Sequence, residues 1–454
     1  WNHHLLMPAF GASVHLKPAT GGSADGSEWV LPLVHGHVDQ SKIVVLSRTV
    51  YITLIARRSR HFAGARFLKR GVTDKGHVAN DVETEQIISE ALTSPFFAPC
   101  KGTHSSGSHK GEGHDFDASP RYTSYVMHRG SIPVHWTQDS TNMSPRPPIE
   151  ISVVDPYYSA AALHFDDMFR RYGAPVIILN LIKSHEKYER EWKLGRALGE
   201  CVKYLNQFLP EDKKLRYIAW DMSHASKSED PNEGVIPVLE RISQKILGET
   251  SFFHSGPEPA RLDAEFSIEG GKDRRDTIQL QTGIARVNCV DCLDRTNAAQ
   301  FMIGKRAFGY QLHALGLLRE SFAPFDCDAL IVLTEMYRDL GDTIALQYGG
   351  SHLVNKMETY RKINQWRSHS RDMLEGLKRY YSNSFVDAEK QAAINLFLGV
   401  DADAPEVTKA VDVNHPRYRN WFEPLHLEPS LSLEERTRRL LQVVNTDKSF
   451  WAEY

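Results

Sequence analysis

Residues 176–182 read Val-Ile-Ile-Leu-Asn-Leu-Ile, an almost unbroken apolar run too short to cross a membrane. A strand with one wet face would alternate polar and apolar side chains. A run without alternation predicts a strand buried on both faces, in a sheet covered by helices above and below. The neighbouring sequence agrees. Leu194, Leu198, Cys201, Val202, Leu205 and Leu209 recur at helical spacing, with Pro210 as the stop. Residues 215–220 read as the next strand, 277–287 as a further strand, and 296–308 as a helix. Residues 43–55 are β-branched and apolar and predict one or two more strands. Residues 329–337 are apolar at helical spacing and are expected to pack on the sheet. The fold class is therefore α/β.

The chain has 454 residues, more than one core usually supports, so more than one structural unit is expected. A net charge of −3 supplies no global positive field, which argues against nucleic acid as a partner. Five cysteines, Cys100, Cys201, Cys289, Cys292 and Cys327, are odd in number and unevenly spaced, as suits free thiols in a reducing compartment. No apolar run approaches the ~20 residues of a membrane span, and no signal-peptide pattern opens the chain. The start at Trp1 is read as a sign of a piece excised from something longer. Residues 17–28 and 101–119 are polar and read as loops. The second is rich in Gly, Ser and His; its irregular spacing favours a disordered surface insertion over a metal tract. Ser144-Pro145-Arg146-Pro147-Pro148 is an extended connector.

The chemistry concentrates in Arg286-Val287-Asn288-Cys289-Val290-Asp291-Cys292-Leu293-Asp294-Arg295-Thr296-Asn297, between a predicted strand and a predicted helix. Main-chain N–H groups of Asn288, Val290, Cys292, Leu293 and Asp294, at a helix N-terminus, suit a phosphate dianion. The same positive end lowers the pKa of Cys289 from about 8.5, making an attacking thiolate. Arg295 offers a planar fork for two phosphoryl oxygens. The hydroxyl of Thr296 can donate to the Cys289 sulfur. A leaving alkoxide needs a proton, for which Asp291 is the preferred donor, with Asp221 as an alternative on a separate loop. Asp294 is expected to anchor the loop by accepting backbone N–H bonds.

A cysteine, five residues and an arginine is by itself a weak pattern. Cys289 and Cys292 also form a Cys-x-x-Cys, which raises half a zinc site or a redox pair as alternatives. No second Cys-x-x-Cys exists and no thioredoxin-like context surrounds this one, so no metal site is expected.

The whole string closely resembles the signature of the Sac-domain phosphoinositide phosphatases. Further blocks follow in order: Arg57-Arg58-Ser59-Arg60, Gly64-Ala65-Arg66-Phe67, Val82-Glu83-Thr84-Glu85-Gln86, residues 129–136, Asn180-Leu181-Ile182-Lys183, Gly341-Asp342 and Gln347-Tyr348-Gly349-Gly350-Ser351. The resemblance covers about residues 40–355. It implies a Sac-type catalytic domain with a mixed, partly parallel sheet flanked by helices over residues 41–400. It further implies the end of a truncated β-rich N-terminal subdomain over residues 1–40 and the start of a C-terminal extension over 401–454.

Residues 78–86, 345–355 and 414–418 look most like the subgroup that removes the 5-phosphate of phosphatidylinositol 3,5-bisphosphate. That likeness implies peripheral residence on the cytosolic face of endosomal or vacuolar membranes. It also implies a complex with a phosphatidylinositol 3-phosphate 5-kinase and a helical-repeat scaffold.

Six of the fourteen residues from Arg57 to Arg70 are basic, Arg60 among them, enough to meet headgroup phosphates or an anionic bilayer, or to form a solvated turn. Lys183 follows the buried strand, where an α/β sheet usually meets its ligand, although a snorkelling edge lysine fits as well. The expected reaction is a two-step displacement through a phosphocysteine. It requires no cofactor, with magnesium as an accessory to the lipid's charge. A protein phosphatase using the same loop, or a structural module of a kinase complex, are the alternatives.

Overall fold

The computed structural model describes residue 1 and residues 35–90, 122–138, 147–184, 186, 190–228, 230, 232–255, 278–354 and 386–399. The polar stretches 17–28 and 101–119, Cys100 and residues 401–454 lie outside the described residues.

The chain opens with two long strands, β1 (Gly36–Val45) and β2 (Arg48–Arg58), paired antiparallel with Val45 opposite Arg48. Leu46 and Ser47 make the two-residue turn, both at positive φ (47° and 63°), as a primed hairpin turn requires. Neither is the glycine or asparagine that usually announces such a turn. β3 (Val82–Glu90) and β4 (Tyr122–Arg129) continue the antiparallel half. A small ladder of β5 (Trp136–Thr137) and β6 (Glu150–Ile151) then leads to α1 (Ser159–Tyr172) and β7 (Val176–Asn180). Next come α2 (Glu191–Leu205), β8 (Arg216–Ala219), a single turn α3 (Met222–Ala225), α4 (Val235–Thr250) and the short β9 (Phe253–His254). The chain continues through β10 (Ile284–Asn288), α5 (Asp294–Ala314), α6 (Asp328–Gly349) and α7 (Asp387–Leu398).

The main sheet runs β1-β2-β3-β4-β10-β7-β8, with β9 paired to β4. β4 is the seam: its partner β3 is antiparallel, and from β10 onward every neighbour is parallel. The mixed, partly parallel sheet expected from the sequence is thus present. β7 and β10 are buried at every position. Ile177 and Leu179 enter one core with α4, α5 and α6, while Val176 and Ile178 enter a second core with α1 and α2. Helices on both faces are the physical reason for the uninterrupted apolar run.

Element boundaries differ from expectation in a few places. α2 ends at Leu205, ahead of Pro210, with Asn206 as its cap; Asn206 exchanges hydrogen bonds with the backbone of Leu215 (2.8 and 3.0 Å). β10 begins only at Ile284. α6 extends well past residue 337 and lies over β1 and β2, where Gln347 Nε2 donates to the Gly36 carbonyl at 2.9 Å. The expected boundary at residue 40 falls inside β1, which belongs to the same sheet as the rest. No helix among the described residues is long and apolar enough to cross a membrane.

Candidate active site

In the parallel half the carboxyl ends of β7, β8 and β10 point the same way, which is where open α/β sheets place their ligand sites. β10 ends on Asn288 and α5 begins at Asp294, so residues 289–293 form the loop between them. α5 is 21 residues long, yet Leu293 is its N-cap and no side chain caps it. Its first-turn N–H groups and the positive end of its dipole are left for an anion.

Cys289 is buried, with its sulfur turned into the loop. The Cys292 N–H donates to Sγ at 3.1 Å, and the Thr296 hydroxyl lies 3.4 Å from it. Burial alone raises a thiol's pKa; here a hydrogen bond from the Cys292 side chain, the charge of Arg295 and the Thr296 hydroxyl outweigh it, and the Cys289 pKa is lowered. Cys292 adopts the left-handed region (φ 53°), which turns its N–H towards the sulfur. Its own thiol donates to the carbonyls of Gly130 (3.0 Å) and Cys289 (3.4 Å). Burial pushes its pKa well above the usual value and the bonded Cys289 adds to the rise. The two cysteines are free thiols with opposite protonation tendencies. No metal-holding group of His, Cys, Asp and Glu occurs among the described residues.

Arg295 is held from the β7 side. Its Nη1 donates to the Leu181 carbonyl at 2.7 Å and to Glu191 Oε2 at 2.9 Å, which leaves Nε and Nη2 without a hydrogen-bond partner among the described residues. Burial disfavours its charge, but Cys289 and Glu191 reverse that, so it stays a cation. Glu191, in the first turn of α2, also accepts from the Lys183 N–H (3.3 Å) and stands 3.6 Å from Lys183 Nζ. Lys183 is therefore beside the loop, already paired. Arg60 is exposed on the segment after β2.

The geometry gives Asp291 a different task from the proton donation expected of it. Its carboxylate lies 2.5 Å from Arg66 Nη2 and 2.6 Å from Arg70 Nη2. Burial would raise its pKa, but the two guanidinium groups hold the carboxyl far below the usual range. A carboxylate so held carries no proton to give. Arg70 is itself buried against the Trp136 ring (5.1 Å) and donates to the Val290 carbonyl (3.0 Å) and to Gln138 (2.7 Å). Asp221, the alternative donor, accepts from the N–H groups of Ser184 (2.7 Å) and His224 (2.9 Å) and is likewise set as an acceptor.

The remaining loop residues divide between anchoring and packing. Asp294 accepts from the Val354 N–H at 2.6 Å, the backbone-anchoring role expected of it. The Asn288 side chain does not face the hollow: it donates to Asn180 (2.7 Å) and accepts from Arg286 (3.1 Å), fastening β10 to β7. Val290 and Leu293 are buried and line the two cores. Their side chains pack, so any contribution to phosphate comes from their backbone.

Several supporting residues escaped sequence reasoning. Asn80, at positive φ, donates to the carbonyls of Asp291 (3.1 Å) and Cys292 (3.4 Å). Asn297 joins Arg129 to the Tyr337 carbonyl. Gln391 of α7 accepts from the Ala65 N–H (3.0 Å) and so fixes the backbone next to Arg66. Asn80 and Arg129 stand in motif blocks, but only their distance in sequence from the loop was visible. Glu191 had one signal, an acidic side chain at a helix start.

The SacI homology domain matches residues 1–227, which carry β1 to β8 together with Arg66, Arg70 and Glu191; the loop at 289–293 lies beyond them. The chain is 50% identical over 384 residues to a polyphosphoinositide phosphatase of Schizosaccharomyces pombe, covering 85% of this chain and 42% of that protein. It is 39% identical over 412 residues to phosphoinositide phosphatase SAC2 of Arabidopsis thaliana (82% and 48%). To phosphatidylinositol-3-phosphatase SAC1 of the same plant it is 36% identical over 448 residues (88% and 45%). The chain spans less than half the length of each of these relatives. With the domain match over half its length and these identities, the chain belongs to the SacI homology domain family.

Proposed function

We propose that this chain is the catalytic core of a phosphoinositide phosphatase that works through a phosphocysteine. The observation that carries the reading is the Cys289 sulfur, set between an N–H and a hydroxyl at the foot of an uncapped helix, with Arg295 beside it. In the first step the Cys289 thiolate attacks phosphorus, a sulfur–phosphorus bond forms, and the bond to the inositol oxygen breaks. Loop N–H groups and the free edge of Arg295 hold the non-bridging oxygens as charge develops. The Thr296 hydroxyl steadies the sulfur before attack and again when it leaves. In the second step water attacks the phosphocysteine, releasing phosphate and restoring the thiolate. With Asp291 bound to Arg66 and Arg70, the proton for the inositol oxygen comes from solvent, and Asp291 acts by fixing the loop and its arginines.

The subgroup likeness and the 50% identity to a polyphosphoinositide phosphatase support phosphatidylinositol 3,5-bisphosphate, cleaved at the 5-phosphate, as the substrate. The same likeness supports work at the cytosolic face of endosomal or vacuolar membranes, beside a phosphatidylinositol 3-phosphate 5-kinase and a helical-repeat scaffold. The test is phosphate release from a panel of short-chain phosphoinositides by the wild type and Cys289→Ser. The 3,5-bisphosphate is expected to turn over fastest and the variant to release none. Equal release by the variant, or preference for phosphopeptides, contradicts the proposal.

A further inference from the structure

The start of α2 carries two carboxylates with separate tasks. Glu186 Oε2 accepts from the main-chain N–H groups of Arg190 (3.2 Å), Glu191 (2.7 Å) and Trp192 (3.2 Å), and so serves the N–H groups that open the helix. Glu191, in the first turn itself, is not needed for that task, and its side chain reaches Arg295 of α5 instead. Its Oε2 accepts from Arg295 Nη1 at 2.9 Å and from the Lys183 N–H at 3.3 Å, and Lys183 Nζ stands 3.6 Å from Oε1. The acceptor is thus itself braced. Arg295 Nη1 has a second acceptor at 2.7 Å, the Leu181 carbonyl just past β7. β7 and α2 share one core through Val176, Ile178, Leu194 and Leu198, so both acceptors stand on elements packed against each other. With side-chain exposures of 16% and 15%, Arg295 and Glu191 are shielded from the solvent competition that loosens surface pairs. A guanidinium is planar and rigid, so two acceptors on one nitrogen fix its plane and turn the Nε–Nη2 edge away from them.

We propose that Glu191 is a positioning residue for Arg295: by its reach rather than its charge, it sets the guanidinium plane so that the Nε–Nη2 edge meets the phosphoryl oxygens in the transition state. The proposal rests on the phosphatase reading, and Glu191 itself touches no reacting atom. Aspartate at position 191 would keep the negative charge at the helix start but fall one methylene short of Arg295. Glutamine would keep the reach and an accepting oxygen but lose the charge. A positioning role and a charge role therefore predict opposite orders for the two variants.

The experiment compares wild type, Glu191→Asp and Glu191→Gln, with circular dichroism to verify folding. On short-chain phosphatidylinositol 3,5-bisphosphate, Glu191→Asp is expected to lose about 10–10² in kcat with KM nearly unchanged, and Glu191→Gln to stay within about threefold of wild type. The reverse order, or equal kcat in the two variants, overturns the proposal. If one variant does not fold, the other decides by the same values. Alkylation of Cys289 by iodoacetamide, located by peptide mass spectrometry, needs no substrate and separates failure of this inference from failure of the proposed function. Its pH midpoint is expected to move up in Glu191→Asp, where Arg295 is no longer held beside the sulfur, and to stay in Glu191→Gln. A wild type that hydrolyses no phosphoinositide refutes the proposed function, and the midpoints then decide: movement in Glu191→Asp alone supports the positioning role, and any other pattern overturns it.

Discussion

At the scale of single residues, the site is a set of paired charges around one sulfur. Cys289 has a pKa lowered to about 6, so its alkylation is expected to be half-maximal near that pH rather than near the about 8.5 of a free cysteine. The sign of the linked stability follows. Because the folded value lies below the unfolded one, ionisation of Cys289 stabilises the fold fully above about pH 8.5, and this contribution is lost as pH falls through about 6. Arg295→Lys replaces a fork with a point charge and removes the bond that Arg295 makes to Glu191. Its kcat is expected to fall by roughly 10²–10³, read from initial rates of phosphate release, with little change in folding. Asp291→Asn separates two roles. A proton donor is needed for an inositol leaving group and hardly at all for a p-nitrophenolate. A residue that holds Arg66 and Arg70 is needed for both, so the variant is expected to lose comparable rates on both substrates. Normal turnover of p-nitrophenyl phosphate with lost turnover of the lipid would restore Asp291 as the acid. The sequence does not show this pairing: an aspartate two residues from a nucleophile looks available, and the arginines paired with it lie more than two hundred residues away.

At the scale of elements, what could be read was what local pattern controls. The doubly covered β7, the amphipathic α2 and the strand–loop–helix around Cys289 each follow from apolar spacing within a few turns. Ends were less legible. Pro210 would kink or break a helix, but α2 stops earlier, where Asn206 finds backbone partners at Leu215. The β1–β2 turn lacks its usual residues, so the pair read as one strand or two. Helix–helix contact at the site was not legible at all. Gly341 of α6 leaves room for Asn297 of α5: a Cβ there would come within 2.4 Å of Asn297 Nδ2 and 2.6 Å of Leu353 Cδ1. Gly341→Ala is expected to destabilise by roughly 1–3 kcal/mol and to slow Cys289 alkylation by displacing Asn297 and the first turn of α5, checked by thermal melts and alkylation rates. An unchanged melting point would show that the two helices can part without cost.

At the scale of the whole molecule, the sheet changes character at β4, and the site exploits the change. The parallel half supplies three strand ends and a helix N-terminus on one side, where the proposed phosphate site lies. The antiparallel half carries the segment between β2 and β3, from which Arg66, Arg70 and Asn80 reach back to the loop. Motif blocks hundreds of residues apart thus converge through one sheet, a convergence that a linear pattern can suggest only by resemblance. The proposed reaction rests on Cys289 becoming bonded to phosphorus. The most direct measurement is rapid acid quenching of the protein during turnover of short-chain phosphatidylinositol 3,5-bisphosphate, followed by peptide mass spectrometry. A phosphoryl group on the Cys289 peptide, absent from Cys289→Ser, is the expected result; continued turnover with that sulfur unmodified or replaced would contradict the account.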